Sequence, residues 1–278
     1  QILSNTLGDI FIENGGEIIL SKKVSKIKIK YNTATGVILE DKTFYKSHFV
    51  VSNIDASQTY RELIDVKYNT TYFMGKLNKL ISSYPVAGVF LGLNKRLGRE
   101  FKDSHNIWYS NSYEIDYAYR FLEEKKINIE KSFLLLTIPS FIDRSLVQND
   151  DYEVVKIEIY MPLLGMNYWN NDNKLYILEK VIKKVEELIP NIDNCILLKD
   201  IATPHSFYKY TLNSYGASRG WACNQSQISS NIIPSKSHIE SLFLCGHWTT
   251  SGFGQGGIGM VAYSGKNVAY IIKNRIKK

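Results

Sequence analysis

The chain has little cysteine, and what it has is placed for none of cysteine's structural uses. Cys195, Cys223 and Cys245 are odd in number and scattered. That argues against a disulfide scaffold and for a reducing compartment, the cytoplasm. Five histidines, His48, His105, His205, His238 and His247, show no metal-ligating spacing, so no metal centre is expected. There is no G-x-S-x-G elbow, and with it goes the usual serine-hydrolase reading. No apolar run approaches the roughly 20 residues that a membrane span needs. Internal repeats and low-complexity linkers are missing too. After Gly257 there is not one Asp or Glu, an absence that decides how the most informative motif is read.

What is present is ordinary globular material. The 278 residues with 44% hydrophobic content suffice for one large or two modest domains. Aromatics make up 13%, with 19 Tyr, which suits a channel for a long apolar ligand and equally a core in which Tyr replaces Phe. The formal charge of +7 is spread over residues 22–30, 95–102, 180–184 and 273–278. Such runs form solvated faces or meet anionic lipid headgroups. No nucleic-acid motif accompanies them. Peripheral membrane contact is therefore expected and a nucleic-acid partner is not.

The periodicities predict a helix over 2–14 stopped by Gly15 and Gly16, then strands over 17–20, 24–31, 36–40 and 44–52. Asp55 or Ser57 caps a following helix through 64. A helix over 71–82 opens a middle region with strands over 86–93, 132–139, 152–161 and 195–201. Residues 95–130 read as polar, aromatic and irregular. The clearest helix is 174–189, with Leu175, Leu178, Val181, Ile182, Val185 and Leu188 on one face and Pro190 ending it.

The closing segment, 241–272, carries the chemistry. A short apolar run, 242–245, reads as a strand buried on both faces. It turns at Gly246 and is followed by G-x-G-x-x-G over Gly252–Gly257 and an apolar helix. A literal dinucleotide fingerprint requires a second strand and an acidic residue about 20 positions on. Neither exists here. What remains is a backbone able to approach a flat or anionic ligand closely, ahead of a helix N-terminus.

This segment resembles the C-terminal flavin-contacting motif of the phytoene desaturase and carotenoid isomerase group, within the flavin-containing amine oxidase superfamily. Residues 15–60, with Gly15–Gly16, a V-x-x-I step and a V-V-S-N strand end, are similar to that family's adenine-side segment. Residues 203–221, with Pro204, Tyr210, Thr211, Asn213, Gly220 and Trp221, are similar to the stretch that re-enters its flavin domain. The resemblance implies an α/β fold, the C-terminal part of a two-domain FAD/NAD(P)-binding Rossmann-like fold with a mixed-sheet plus helices substrate domain. Its expected division is 1–65 for a flavin-domain segment, 66–202 for the substrate domain and 203–278 for the return to the flavin domain.

The implied cofactor is FAD. The resemblance places Val24 at the adenine through its backbone, Gly246 and His247 near the ribityl or pyrophosphate portion, and Gly256, Gly257 and Ile258 around the pyrimidine end of the flavin ring. His247 stands where the family usually has an acidic or amide residue, and both a packed and a ligand-facing role stay open for it. Gly259 and Met260 replace a family proline and small residue. Tyr208, Tyr210, Arg219, Trp221 and Trp248 are the expected lining of an apolar tunnel, and no catalytic acid or base is named. The implied activity is desaturation or redox-assisted isomerisation of a carotenoid or other polyisoprenoid. Two alternatives share the fold: an amine or protoporphyrinogen oxidase relative, and a non-enzymatic prenyl-lipid binder resembling Rab GDP-dissociation inhibitors. The family's first strand-turn-helix has no counterpart here. The isolated chain is accordingly expected to be inactive, unable to hold a whole FAD tightly, and dependent on a missing N-terminal half.

Overall fold

The computed structural model of the chain describes residues 2–101, 104–228, 232–249 and 257–277. The chain opens with helix α1 (Ile2–Glu13) and a meander of β1 (Val24–Lys30), β2 (Thr33–Leu39) and β3 (Phe44–Lys46), paired antiparallel in that order. Residues 17–20 were expected as a strand but are irregular, with Ile18, Ile19 and Leu20 exposed. No described strand lies alongside them to accept their hydrogen bonds. The expected single strand 44–52 is two strands in two sheets. Ser47 Oγ donates to the Phe49 carbonyl and accepts from its N–H, a local turn that competes with the ladder. The chain beyond it, β4 (Val50–Ser52), pairs in parallel with the last strand.

Asp55 accepts a 2.7 Å hydrogen bond from the Ser57 N–H and caps α2 (Ala56–Glu62), as its residue type favours. Helix α3 (Thr71–Leu77) is shorter than the expected 71–82. Then follow β5 (Val86–Leu93), α4 (Gly98–Phe101), β6 (Asn106–Tyr109), α5 (Ile115–Glu123), β7 (Leu134–Thr137), β8 (Glu153–Tyr160), α6 (Asn171–Val185) and β9 (Ile196–Ala202). Strand β6 and helix α5 lie in the segment whose sequence has no clear period. The chain closes with α7 (Pro204–Thr211), α8 (Gln225–Ile228), β10 (Leu242–Leu244) and α9 (Ile258–Ile276).

Two cores result. Strands β6-β7-β8-β5-β9 form one sheet, antiparallel at every pair. Along β8 the odd residues are buried and the even ones half-buried, the period of a sheet with one covered face. The cover is α6, whose Ile177, Val181 and Val185 meet Val89, Leu91, Leu136 and Ile157 in one cluster. Each such side chain contributes about 1.5–3 kcal/mol on burial. The helix begins at 171 because Asn170 caps the Asn173 N–H at 3.0 Å, and it ends at Val185, short of the expected 189. The second core joins Ile27, Ile29, Tyr60 and Leu77 to Trp221, Leu242, Leu244 and Trp248. Residues of the stretches 27–77 and 217–248 thus share one interior.

Candidate functional site

The parallel pair β4–β10 ends at Ser52 and Leu244, and both chains turn there. The Cys245 N–H still bonds the Ser52 carbonyl at 3.0 Å, after which Gly246 adopts φ 88°. The turn is pinned to α9 because the Gly246 N–H donates to Ser264 Oγ at 2.7 Å. Carboxyl ends of parallel strands are where open α/β sheets bind ligands. Helix α9 starts at Gly257 with no side-chain cap and no acidic residue in its first turn. Among the described residues nothing therefore compensates its free N–H groups and partial positive charge. A Cβ built on Gly257 or Gly259 meets no described atom within 4 Å. The open, uncapped helix end fits the edge of a flat anionic group such as a flavin.

Beneath this turn sits a buried polar knot. Asp55, fully buried, accepts from the Ser57 N–H and, across the fold, from the Ser214 N–H, both at 2.7 Å. Burial raises its carboxyl above the usual carboxylate range, and those N–H donors pull it back. Burial also lowers the His247 imidazole, with Asp55 opposing the shift, which favours the neutral ring. Asn213 Nδ2 donates to the Ala217 carbonyl at 2.9 Å while its Oδ1 accepts from Trp248 Nε1 at 3.1 Å. Trp221 Nε1 in turn donates to the Trp248 carbonyl at 2.8 Å. Gly220, at φ 73°, is required here: a Cβ on it would stand 2.2 Å from the His247 carbonyl oxygen.

From Trp221 an aromatic groove runs along the uncovered face of the five-stranded sheet. A chamber of about 720 Å³ is lined by Tyr84, Tyr119, Glu123, Tyr160, Arg219 and Trp221, among others. It shares Tyr160 and Arg219 with a slot of about 10 Å³, room for little more than a water, walled also by Trp108 and Phe133. Beyond the slot, Trp108, Phe133, Tyr113 and Ile115 border an outer hollow of about 510 Å³. Register explains the alignment. Trp108 pairs with Leu135, Leu135 with Glu158 and Glu158 with Gly88, so one row of side chains crosses four strands on the same face. Phe133 stands 5.7 Å from Trp108, 5.7 Å from Tyr119 and 5.6 Å from Tyr160, ring to ring. Burial pushes the Tyr84 and Tyr119 phenols up, and Arg219 partly offsets this at Tyr119.

Of the residues expected from sequence, Gly246, His247 and Trp248 lie together on the β10 turn, and Arg219 and Trp221 share the chamber. Trp248 is buried behind Trp221, its indole N–H already bonded to Asn213. Tyr208 and Tyr210 lie on α7 and do not line that chamber; Tyr210 is 80% exposed. Val24 is half-buried at the start of β1, opposite Leu39. Gly257 and Ile258 begin α9, both exposed, while Gly256 and the rest of 252–256 lie outside the described residues. Sequence reasoning did not name Tyr84, Trp108, Tyr119, Phe133 or Tyr160. The period-2 alternation of β8 carried the one available signal, since it turns Tyr160 away from the covered face.

With this geometry in place, the relatives can be compared. The chain is 24% identical over 280 aligned positions to 4,4'-diaponeurosporene oxygenase of Staphylococcus aureus (strain MW2), a match spanning 99% of this chain and 54% of that protein. It therefore spans about half the length of the curated relatives it matches. No protein-family profile matches it. Among solved structures, an oxidoreductase from Methanosarcina mazei superposes with a TM-score of 0.60 at 14% identity, covering 96% of this chain and 53% of the other. Cyclohexylamine oxidase from Brevibacterium oxydans IH-35A gives 0.59 at 7%, covering 97% and 51%. A redesigned putrescine oxidase gives 0.56 at 11%, covering 95% and 51%. In sequence, then, the chain is similar to 4,4'-diaponeurosporene oxygenase, and in fold to solved oxidoreductases that include two amine oxidases.

Proposed function

We propose that the chain forms the substrate-holding and flavin-facing part of an FAD-dependent oxidoreductase. Its substrate is a carotenoid or other polyisoprenoid, desaturated or isomerised with hydride passing between an allylic carbon and the cofactor. One observation carries this reading. The aromatic groove ends at Trp221, and Trp221 is bonded to the β10 turn, whose Gly246 N–H is bonded in turn to Ser264 inside α9. FAD, when bound, supplies the ring that gives or takes hydride. The α9 N-terminus would favour negative charge on that ring's edge. Gly257 and Gly259 leave room for close approach, Val24 would offer backbone groups to the adenine, and the aromatic walls keep water from an apolar chain.

The same reading supplies partners. Helix α1 buries none of its residues and leaves Ile2, Leu3, Leu7, Ile10, Phe11 and Ile12 exposed, and α9 buries only Ser264 and Val268. An apolar surface of that extent supports a covering segment, the nucleotide-binding half of the enzyme. No helix of the described residues is long and apolar enough to cross a membrane. Peripheral contact fits better: Trp108, 63% exposed, with Tyr113 and Ile115, forms an apolar rim through which a water-insoluble substrate would leave a bilayer. An amine-oxidase reading shares the fold, which does not choose the substrate. Glu123 is the chamber's candidate partner for an ammonium, but Arg219 in the same chamber opposes a cationic ligand.

The test is spectroscopic. The reading frame that carries this chain, expressed with whatever precedes it, is expected to purify yellow with flavin absorption, and the 278 residues alone colourless. Gly257→Val in the longer polypeptide is expected to weaken flavin retention at least tenfold while leaving far-UV dichroism unchanged. A longer polypeptide that is colourless yet binds prenyl lipid would favour the lipid-carrier reading instead.

A further inference from the structure

We infer that Arg219 is a specificity residue that reads the end group of the substrate. Its guanidinium binds an anionic, oxygen-bearing terminus, a carboxylate by chemical class, on a long apolar ligand lying in the aromatic groove. This rests on the polyisoprenoid reading above and narrows it to chains whose end is already oxidised.

The argument begins with an unused cation. Arg219 lines both the chamber and the slot, so its head lies at the junction of the two hollows. Its backbone is fixed on both sides: the Arg219 N–H donates to Ser83 Oγ at 3.0 Å, and the Ser83 N–H to the Gly220 carbonyl at 2.7 Å. The guanidinium carbon lies 5.7 Å over the Tyr160 ring. That contact stabilises the charge but uses none of its five N–H donors. Among the described residues, no carboxylate forms an ion pair with it.

Two carboxylates line the hollows that Arg219 borders. Glu158 lines the slot but pairs with Lys156 at 2.8 Å. Glu123 lines the chamber and makes itself felt at Tyr84, whose phenol it helps to raise. A ligand carboxylate on Arg219 is therefore placed on the Tyr160 side, where the guanidinium already lies over the ring.

The chemistry then follows from geometry. A hydrocarbon end gains nothing from a guanidinium and must strip water from it, an unfavourable exchange. A carboxylate meets it with two parallel charge-assisted bonds, which lysine does not reproduce in the same geometry. The apolar remainder lies along Phe133 and Trp108 toward Tyr113 and Ile115.

The experiment compares two probes of equal length, all-trans-retinoate and its methyl ester, by quenching of tryptophan fluorescence in the full-length polypeptide that carries this chain. The wild type is expected to bind the acid about tenfold more tightly than the ester, the worth of one good bidentate contact. Arg219→Gln should abolish that preference and leave ester binding within about twofold. Arg219→Lys should retain part of the preference. Arg219 is exposed, so neither variant is expected to disturb the fold, and far-UV dichroism checks this. Equal binding of acid and ester by the wild type, or an undiminished preference in Arg219→Gln, overturns this inference and leaves the polyisoprenoid reading standing. Binding of neither probe overturns both.

Discussion

Trp221 donates its indole N–H to the main-chain carbonyl of Trp248 at 2.8 Å, and the two rings meet edge to face with centroids 4.8 Å apart at 89°. The wall of the groove and the turn after β10 are thereby one unit. The geometry is favourable for two aromatic quadrupoles. It also satisfies a buried carbonyl that has no water to turn to. Trp248 passes the constraint on, since its own N–H is held by Asn213.

A double-mutant cycle tests whether the two act together. Trp221→Phe keeps most of the ring but strands the Trp248 carbonyl, and is expected to cost about 1–3 kcal/mol. Trp248→Phe strands Asn213 Oδ1 at a similar cost. Urea denaturation of both single variants and the double is expected to give an interaction energy of at least about 0.5 kcal/mol. Strict additivity would mean that the groove wall and the turn are energetically independent.

Some of the residues brought together here were singled out from the sequence, and those that were not share a cause. Gly246 stood out because a strand-end turn leaves a local mark, and Trp221 and Gly257 because they fall in the stretches that carry the family resemblance. Asp55 was visible only as a helix cap, since its second partner, the Ser214 N–H, is 159 residues away. Tyr119 lies within the stretch without clear period and Phe133 just after it, and their role appears only when α5 and the start of β7 bring the two rings together. Lys184 was misread. It falls in the basic run 180–184, which reads as a solvated face, yet it is 3% exposed. Its position three residues after Val181 and one before Val185 places it on the buried side of α6.

Tyr60 gives a pH signature. Its phenol is fully buried in the second core and donates to Ser237 Oγ at 2.9 Å; burial raises it to about 12 from an ordinary 10, and the Ser237 contact only partly offsets that. Between pH 10 and 12 the folded chain keeps a proton that the unfolded chain has lost, so stability falls as pH rises through that window. A shift of this size corresponds to roughly 2–3 kcal/mol. Tyr60→Phe is expected to be about 1 kcal/mol less stable at pH 8, from the lost hydrogen bond. Its melting temperature should then decline less steeply than wild type from pH 9.5 upward. Parallel declines would show that Tyr60 does not titrate with unfolding.

Lys184 is a buried cation held directly by carbonyls, with the Glu187 and Glu130 charges favouring its protonated form without a direct ion pair among the described residues. Its ammonium donates to the carbonyls of Ile129 at 3.0 Å, Glu130 at 2.9 Å and Ser132, and lies 5.9 Å from the Tyr109 ring centre. Three donors meet three acceptors, which fixes the loop entering β7 and hence the placement of Phe133 in the groove. Burial lowers its pKa, so the folded chain gives up this proton more readily than the unfolded one and protonation opposes folding across the shifted range. The carbonyl cage offsets that cost. Lys184→Met keeps length and apolar bulk but strands the three carbonyls, and is expected to lower stability by about 2–4 kcal/mol. Because the loop carries Phe133, the same variant should weaken retinoate methyl ester binding at temperatures where it remains folded. A variant with unchanged urea midpoint would mean that the three carbonyls find other donors and that the lysine is not what holds the loop.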